Sequence, residues 1–127
     1  LHVWYGDYSL PSAEMNDVPL ADFDVDQCNE CYEQIDVFRD PAVEADLGLG
    51  VVDVHDAEVE TVEEIKRNIR QGLKVVPPEK LTVSPDCGVK LLPREVAYRK
   101  TENLVRAARE VEAELDAGEL DVQLPEA

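Results

Sequence analysis

The sequence predicts an α/β fold built on a parallel sheet, and three observations carry that expectation. Short apolar runs alternate with helix-patterned segments along the chain, the order that produces parallel strands joined by crossovers. One run, Leu47–His55, is apolar almost throughout, as strands covered on both faces are. The chain is 127 residues long and 44% hydrophobic, enough for a single domain with its own core.

The elements follow in order. Leu1–Tyr5 reads as a first strand, and Gly6–Asp24 as a polar connection interrupted by Pro11 and Pro19, with a helical turn at Ser12–Met15. Val25–Glu30 reads as a second, poorer strand, Tyr32–Phe38 as a short helix and Arg39–Asp46 as a loop. Leu47–His55 is the third strand, and Gly48 and Gly50 within it predict that another group approaches the backbone closely. Thr61 and Glu64 have the spacing of a capping box. Val62, Ile65, Ile69 and Leu73 then share one helical face, Glu63 and Arg67 form a supporting pair, and Pro77-Pro78 end the helix. Leu81–Ser84 is the fourth strand. Pro93 opens a last helix with Ala97, Leu104, Ala108, Val111 and Leu115 on its stripe and Gly118 at its close. Glu95–Arg99 and Glu102–Arg106 are the supporting pairs on that helix, and residues 116–127 read as a frayed acidic tail.

These are about four strand-to-helix units. A (β/α)8 barrel takes about 250 residues, so residues 1–115 are expected to form a partial TIM-like barrel, half of the closed ring. In such barrels chemistry is done at the carboxyl ends of the strands.

Lys and Arg number 12 against 29 Asp and Glu, a net charge of −17. That balance repels nucleic-acid backbones and anionic membranes. The acidic residues are spread along the chain and alternate with apolar positions, which argues against disorder and for a folded surface, either one suited to concentrated salt or a merely acidic one. No apolar run is long enough to span a bilayer and no signal-peptide pattern is present, so a cytoplasmic location is expected. The first residue is not Met and lies inside a strand-like run, so an upstream segment is expected too.

Three cysteines, Cys28, Cys31 and Cys87, are an odd count that argues against a disulfide scaffold. Cys28-Asn29-Glu30-Cys31 has redox or zinc-knuckle spacing but lacks a second pair. Three metal-ligand types flank strand-like runs: His2, Glu30 and Cys87. Imidazole, carboxylate and thiolate are common zinc ligands, and a parallel sheet gathers its strand ends. His55 closes the third run. Taken singly, each has a plainer reading: a surface histidine, a solvated carboxylate, a small buried hydrophobe and a histidine at the edge of the core.

Together the residues carry a resemblance. His2-Val-Trp-Tyr-Gly-Asp-Tyr8, Asp26-Gln-Cys-Asn-Glu30, Val52-Asp-Val-His55, Val59-Glu-Thr-Val-Glu-Glu-Ile65 and Ser84-Pro-Asp-Cys-Gly-Val-Lys90 resemble the carboxyl-terminal part of the cobalamin-independent methionine synthase family, in its short archaeal form, from residue 1 to about 113. The resemblance implies a TIM-like barrel that methylates homocysteine at a zinc ion. By matching motif it implies His2, Glu30 and Cys87 as zinc ligands and His55 as the catalytic proton donor. The methyl donor would be a methylated folate, a pterin relative or a corrinoid. Trp4 stands where the family has a second thiolate, and Trp cannot bind zinc; Cys28 and Cys31 are the alternatives. Asp53 and Asp86 are expected to orient neighbouring backbone or ligands. The family's upstream barrel half is absent from this sequence, so the expected partner is that half or a second copy of the chain. The competing expectations are a non-catalytic half-barrel that acts only with such a partner, and a methyltransferase for a different thiol.

Overall fold

The structure, a computed structural model, describes residues 2–3, 17, 19, 21–26, 35 and 45–120, with residues 2–3 as backbone only. The described elements run β1 (His2–Val3), β2 (Asp22–Val25), β3 (Asp46–Val52), α1 (Val62–Gly72), a single 3-10 turn (Pro78–Lys80), β4 (Leu81–Pro85) and α2 (Arg94–Asp116). The four strands form one sheet in the order β1-β2-β3-β4, and every neighbouring pair is parallel. The predicted α/β class with a parallel sheet is what the chain adopts.

Strand alternation divides the sheet into two unlike faces. Phe23, Val25, Leu47, Leu49 and Val51 are all at most 3% exposed and join Ile65, Ile69, Leu104, Ala107 and Val111 of the helices in one core. The alternate positions of β2 and of β3 up to Gly50 are Asp22, Asp24, Asp46, Gly48 and Gly50, so the other face is polar and small there; Val52, past the register shift, is buried. Apolar packing against α1 and α2 thus fixes the sheet from one side.

Several bounds differ from the sequence expectation. β2 begins at Asp22, inside the stretch expected to be a polar connection, and ends at Val25, where the predicted strand began. Asp disfavours strands, so Asp22-Phe-Asp-Val-Asp26 reads as a loop until its period of two is noticed: both apolar side chains go to the core. β3 stops at Val52 rather than His55. Its pairing with β4 shifts register between Gly50 and Val52, and beyond it the chain turns. α1 ends at Gly72 with Leu73 as its cap, ahead of the two prolines. The segments predicted at Ser12–Met15 and Tyr32–Phe38 lie outside the described residues, apart from buried Ile35.

The helix signals are met in detail. Glu64 N–H donates to Thr61 Oγ1 at 3.2 Å and Thr61 N–H donates to Glu64 Oε2 at 2.7 Å, a complete capping box. The Thr61 backbone bond is the main cause holding the Glu64 carboxyl below its usual range. At the far end of α2, Gly118 takes φ 70°, Glu119 N–H donates to Glu114 O at 2.9 Å, and Gly118 N–H donates to Leu115 O at 3.1 Å. This is a Schellman closure, and it folds Leu120 back against the core, so residues 116–120 are not part of a frayed tail. No helix among the described residues is long and apolar enough to cross a membrane.

An ion cluster joins the two helices. Lys66 pairs with Glu114, and with Glu63 and Glu110 at 3.4 Å each, while Arg70 reaches Glu114 at 2.9 Å. Arg106 pairs forward with Glu110 at 3.1 Å. The Lys66 hydrogen bond, then that of Arg70, holds the Glu114 carboxyl below its usual value of 4.5. A carboxyl depressed in the folded state stabilises above its unfolded pKa and loses that contribution as pH falls through the folded value. The stability gap between wild type and Glu114→Gln is therefore expected to be full above about pH 4.5 and to close in more acid solution. Urea titrations across pH 3–7 check it; a gap independent of pH contradicts it.

Candidate active site at the carboxyl ends of the strands

The parallel sheet brings the carboxyl ends of all four strands to one edge. His2 is registered opposite Asp24, Asp24 opposite Gly48, and Gly48 opposite Thr82. One step further along, Gly50 faces Ser84, and Asp86 N–H donates to Val52 O at 2.9 Å, which extends the β3–β4 joint past the end of β4.

The two glycines make room for carboxylates. A Cβ on Gly48 would lie 1.8 Å from Asp24 Oδ1, and one on Gly50 would lie 2.0 Å from Asp86 Oδ1 and 2.9 Å from Asp86 Cα. The close approach expected at these positions is thus to Asp24 and Asp86. Asp26 and Asp86 are 0% and 2% exposed. A side chain at position 48 would displace the Asp24 carboxylate, and one at position 50 would displace Asp86.

Cys87 follows immediately. It lies two residues past the end of β4 and its thiol is free and exposed. His55 lies three residues past the end of β3 and is exposed, while Val54 beside it is buried. Asp53 Oδ1 accepts the His55 N–H at 2.8 Å, so the carboxylate expected to orient neighbouring backbone makes such a bond. The backbone of His2 joins the sheet through β1, level with Asp24. Glu30, Trp4, Cys28 and Cys31 lie outside the described residues, as does the side chain of His2. Among the described residues, no group of three or more His, Cys, Asp or Glu is placed to hold a metal. The described part of the expected ligand set is therefore the Cys87 thiol. The donor types expected around it (sulfur, imidazole and carboxylate) fit zinc chemistry.

Sequence reading missed two features of this edge. Asp24 and Asp26 lay within what read as a connection and a poorer strand; only the period-two Asp pattern marks them. Lys100 was not singled out, and Glu60 only within the run Val59–Ile65. Lys100 is 1% exposed and its Nζ donates to Glu60 Oε1 at 2.5 Å and to Asp53 O at 3.0 Å. Its signal was a charged residue in the gap of the α2 stripe, between Ala97 and Leu104.

The fold and the site define an α/β protein of parallel β/α units that places a thiol, a histidine and buried carboxylates at one end of its sheet. Residues 1–110 match the model of the family described as cobalamin-independent synthase, catalytic domain. The chain belongs to that family. It is 39% identical over 120 residues to a methionine synthase of Saccharolobus solfataricus, covering 91% of this chain and 35% of that protein. It is 40% identical over 116 residues to a methionine synthase of Pyrococcus abyssi, with 91% and 34% covered. A solved B12-independent methionine synthase from a Shewanella species superposes with a TM-score of 0.78 at 24% identity, covering 90% of this chain and 33% of that one; that likeness shows the fold. The chain spans about one third of the length of these relatives.

Proposed function

We propose that this chain is the zinc-bearing part of a (β/α)8 barrel that transfers a methyl group to the thiol of homocysteine, forming methionine. Residues 1–115 would be the carboxyl-terminal half of that barrel. The observation that carries the reading is the exposed Cys87 thiol at the carboxyl end of β4, set beside the buried Asp86 and on the same sheet edge as His55, in a chain of the synthase family.

In this reading Cys87, His2 and Glu30 hold zinc. When bound, the ion lowers the pKa of a coordinated substrate thiol so that it reacts as the thiolate. The sulfur of homocysteine attacks the methyl carbon, the bond from that carbon to its carrier breaks, and the electron pair leaves with the carrier. The carrier would be a methylated folate, pterin or corrinoid; where the methyl leaves a folate or pterin nitrogen, His55 donates the proton that this nitrogen takes up. Asp53 fixes the backbone from which His55 extends. The Asp86 carboxylate, held over Gly50, sets the chain that presents Cys87.

The expected results are about one zinc per chain in the full-length protein, methyl transfer to homocysteine, and loss of both in Cys87→Ser. A protein that binds no zinc, or a Cys87→Ser variant with full activity, overturns the proposal.

A second reading, a half-barrel that acts only with a partner chain, draws on one surface. An apolar groove lined by Leu73, Leu81, Val83, Leu104, Ala108 and Leu115 runs beside β4, the end strand of the described sheet. A strand at such an end exposes unpaired backbone groups, and the missing half or a second copy would cover it. Sedimentation separates the cases: a stable monomer of this chain opposes the second reading.

A further inference from the structure

We infer that Lys100 and Glu60 form a positioning clamp that sets the β3–α1 loop so that His55 stands at the strand ends. The inference rests on the reading of His55 as the proton donor.

A lysine is almost never fully buried unless it is paired, and the chain keeps Lys100 at 1% exposure on a helix whose neighbouring core positions are Leu104 and Ala107. Its partners are specific. Nζ donates to Glu60 Oε1 and to Asp53 O. The other oxygen of the same carboxylate, Glu60 Oε2, accepts the Asp53 N–H at 2.9 Å. Both backbone polar groups of Asp53 are thus held by one ion pair. Asn103, one turn along α2, donates to Glu60 O at 2.8 Å and fixes the other end of the loop. Between these anchors Asp53 Oδ1 accepts from His55 N–H at 2.8 Å and Asp56 Oδ1 accepts from Glu58 N–H at 2.9 Å.

The loop has one fully buried apolar side chain, Val54, at 6% exposure; polar bonds, rather than packing, give it its shape. A buried ion pair is a poor means of adding stability, because well-packed apolar residues do as well or better. What it offers here is directionality: it grips a single residue, Asp53, two positions before His55. Lys100 and Glu60 therefore act through Asp53 and are positioning residues.

Hydrogen exchange and steady-state kinetics on the full-length protein test this. Lys100→Met keeps the length of the side chain and removes its charge. Lys100→Met/Glu60→Gln also removes the orphaned carboxylate, the unpaired buried charge that destabilises the single variant. Backbone exchange over residues 53–60 is expected to rise about tenfold, with residues 47–51 changed less than about twofold. In the same variants kcat is expected to fall about 10²-fold with KM for the thiol nearly unchanged, the result of a displaced catalytic group. Unchanged exchange over 53–60, or an equal rise throughout β3, overturns the clamp. A local rise in exchange with normal kcat also overturns it as a positioning device. His55→Asn with full activity would instead sink the proton-donor role, a failure distinct from any result on loop exchange.

Discussion

Gly50→Ala is expected to lower stability by about 1–3 kcal/mol, the usual cost of forcing extra volume into a packed site. The cause is local and twofold. The new Cβ would fall 2.0 Å from Asp86 Oδ1, which a rotation of the carboxylate could relieve, but also 2.9 Å from Asp86 Cα, which only movement of the backbone can relieve. That backbone is bonded to β3 through Asp86 N–H and Val52 O at 2.9 Å, and it leads directly into Cys87. The substitution therefore strains the β3–β4 joint and shifts the thiol together. At roughly 4 °C per kcal/mol for a domain of this size, thermal melting resolves the change. Gly88→Ala is the control: a Cβ there meets nothing within 4 Å, and the expected change is within about 0.5 kcal/mol. Equal melting temperatures for the two variants would contradict the described packing.

His55→Asn is expected to reduce methyl transfer by about 10²–10⁴-fold, the range that a positioned proton donor contributes, without loss of zinc or of fold. His55 is exposed, so the core does not need its ring. Its backbone N–H, bonded to Asp53 Oδ1 at 2.8 Å, is retained by Asn. Single-turnover kinetics and zinc analysis on the same preparation check both halves. Parallel loss of metal and activity would make His55 a ligand rather than a proton donor.

The architecture was legible where one physical signal dominated. The unbroken apolar run of β3 announced a strand covered by helices, Thr61 with Glu64 announced the start of α1, and Gly118 announced the end of α2. β2 was misplaced by three residues at its start because Asp22, Asp24 and Asp26 depress strand propensity while serving the sheet's polar face. Cys87 and His55 could be singled out because each follows an apolar strand directly. Glu60 and Lys100 could not, since they are 40 residues apart and meet only once α2 packs over the loop. The glycines of β3 were legible as close-approach positions, but not their partners, Asp24 in β2 and Asp86 just past the end of β4.

If Cys87 ligates the proposed zinc, X-ray absorption at the zinc edge of the substrate-free, full-length protein will show it. The expected spectrum has a zinc-bound sulfur at about 2.3 Å with nitrogen and oxygen neighbours at about 2.0–2.2 Å, and loses a sulfur in Cys87→Ser. A spectrum with no sulfur neighbour, or one left unchanged by that substitution, would contradict it.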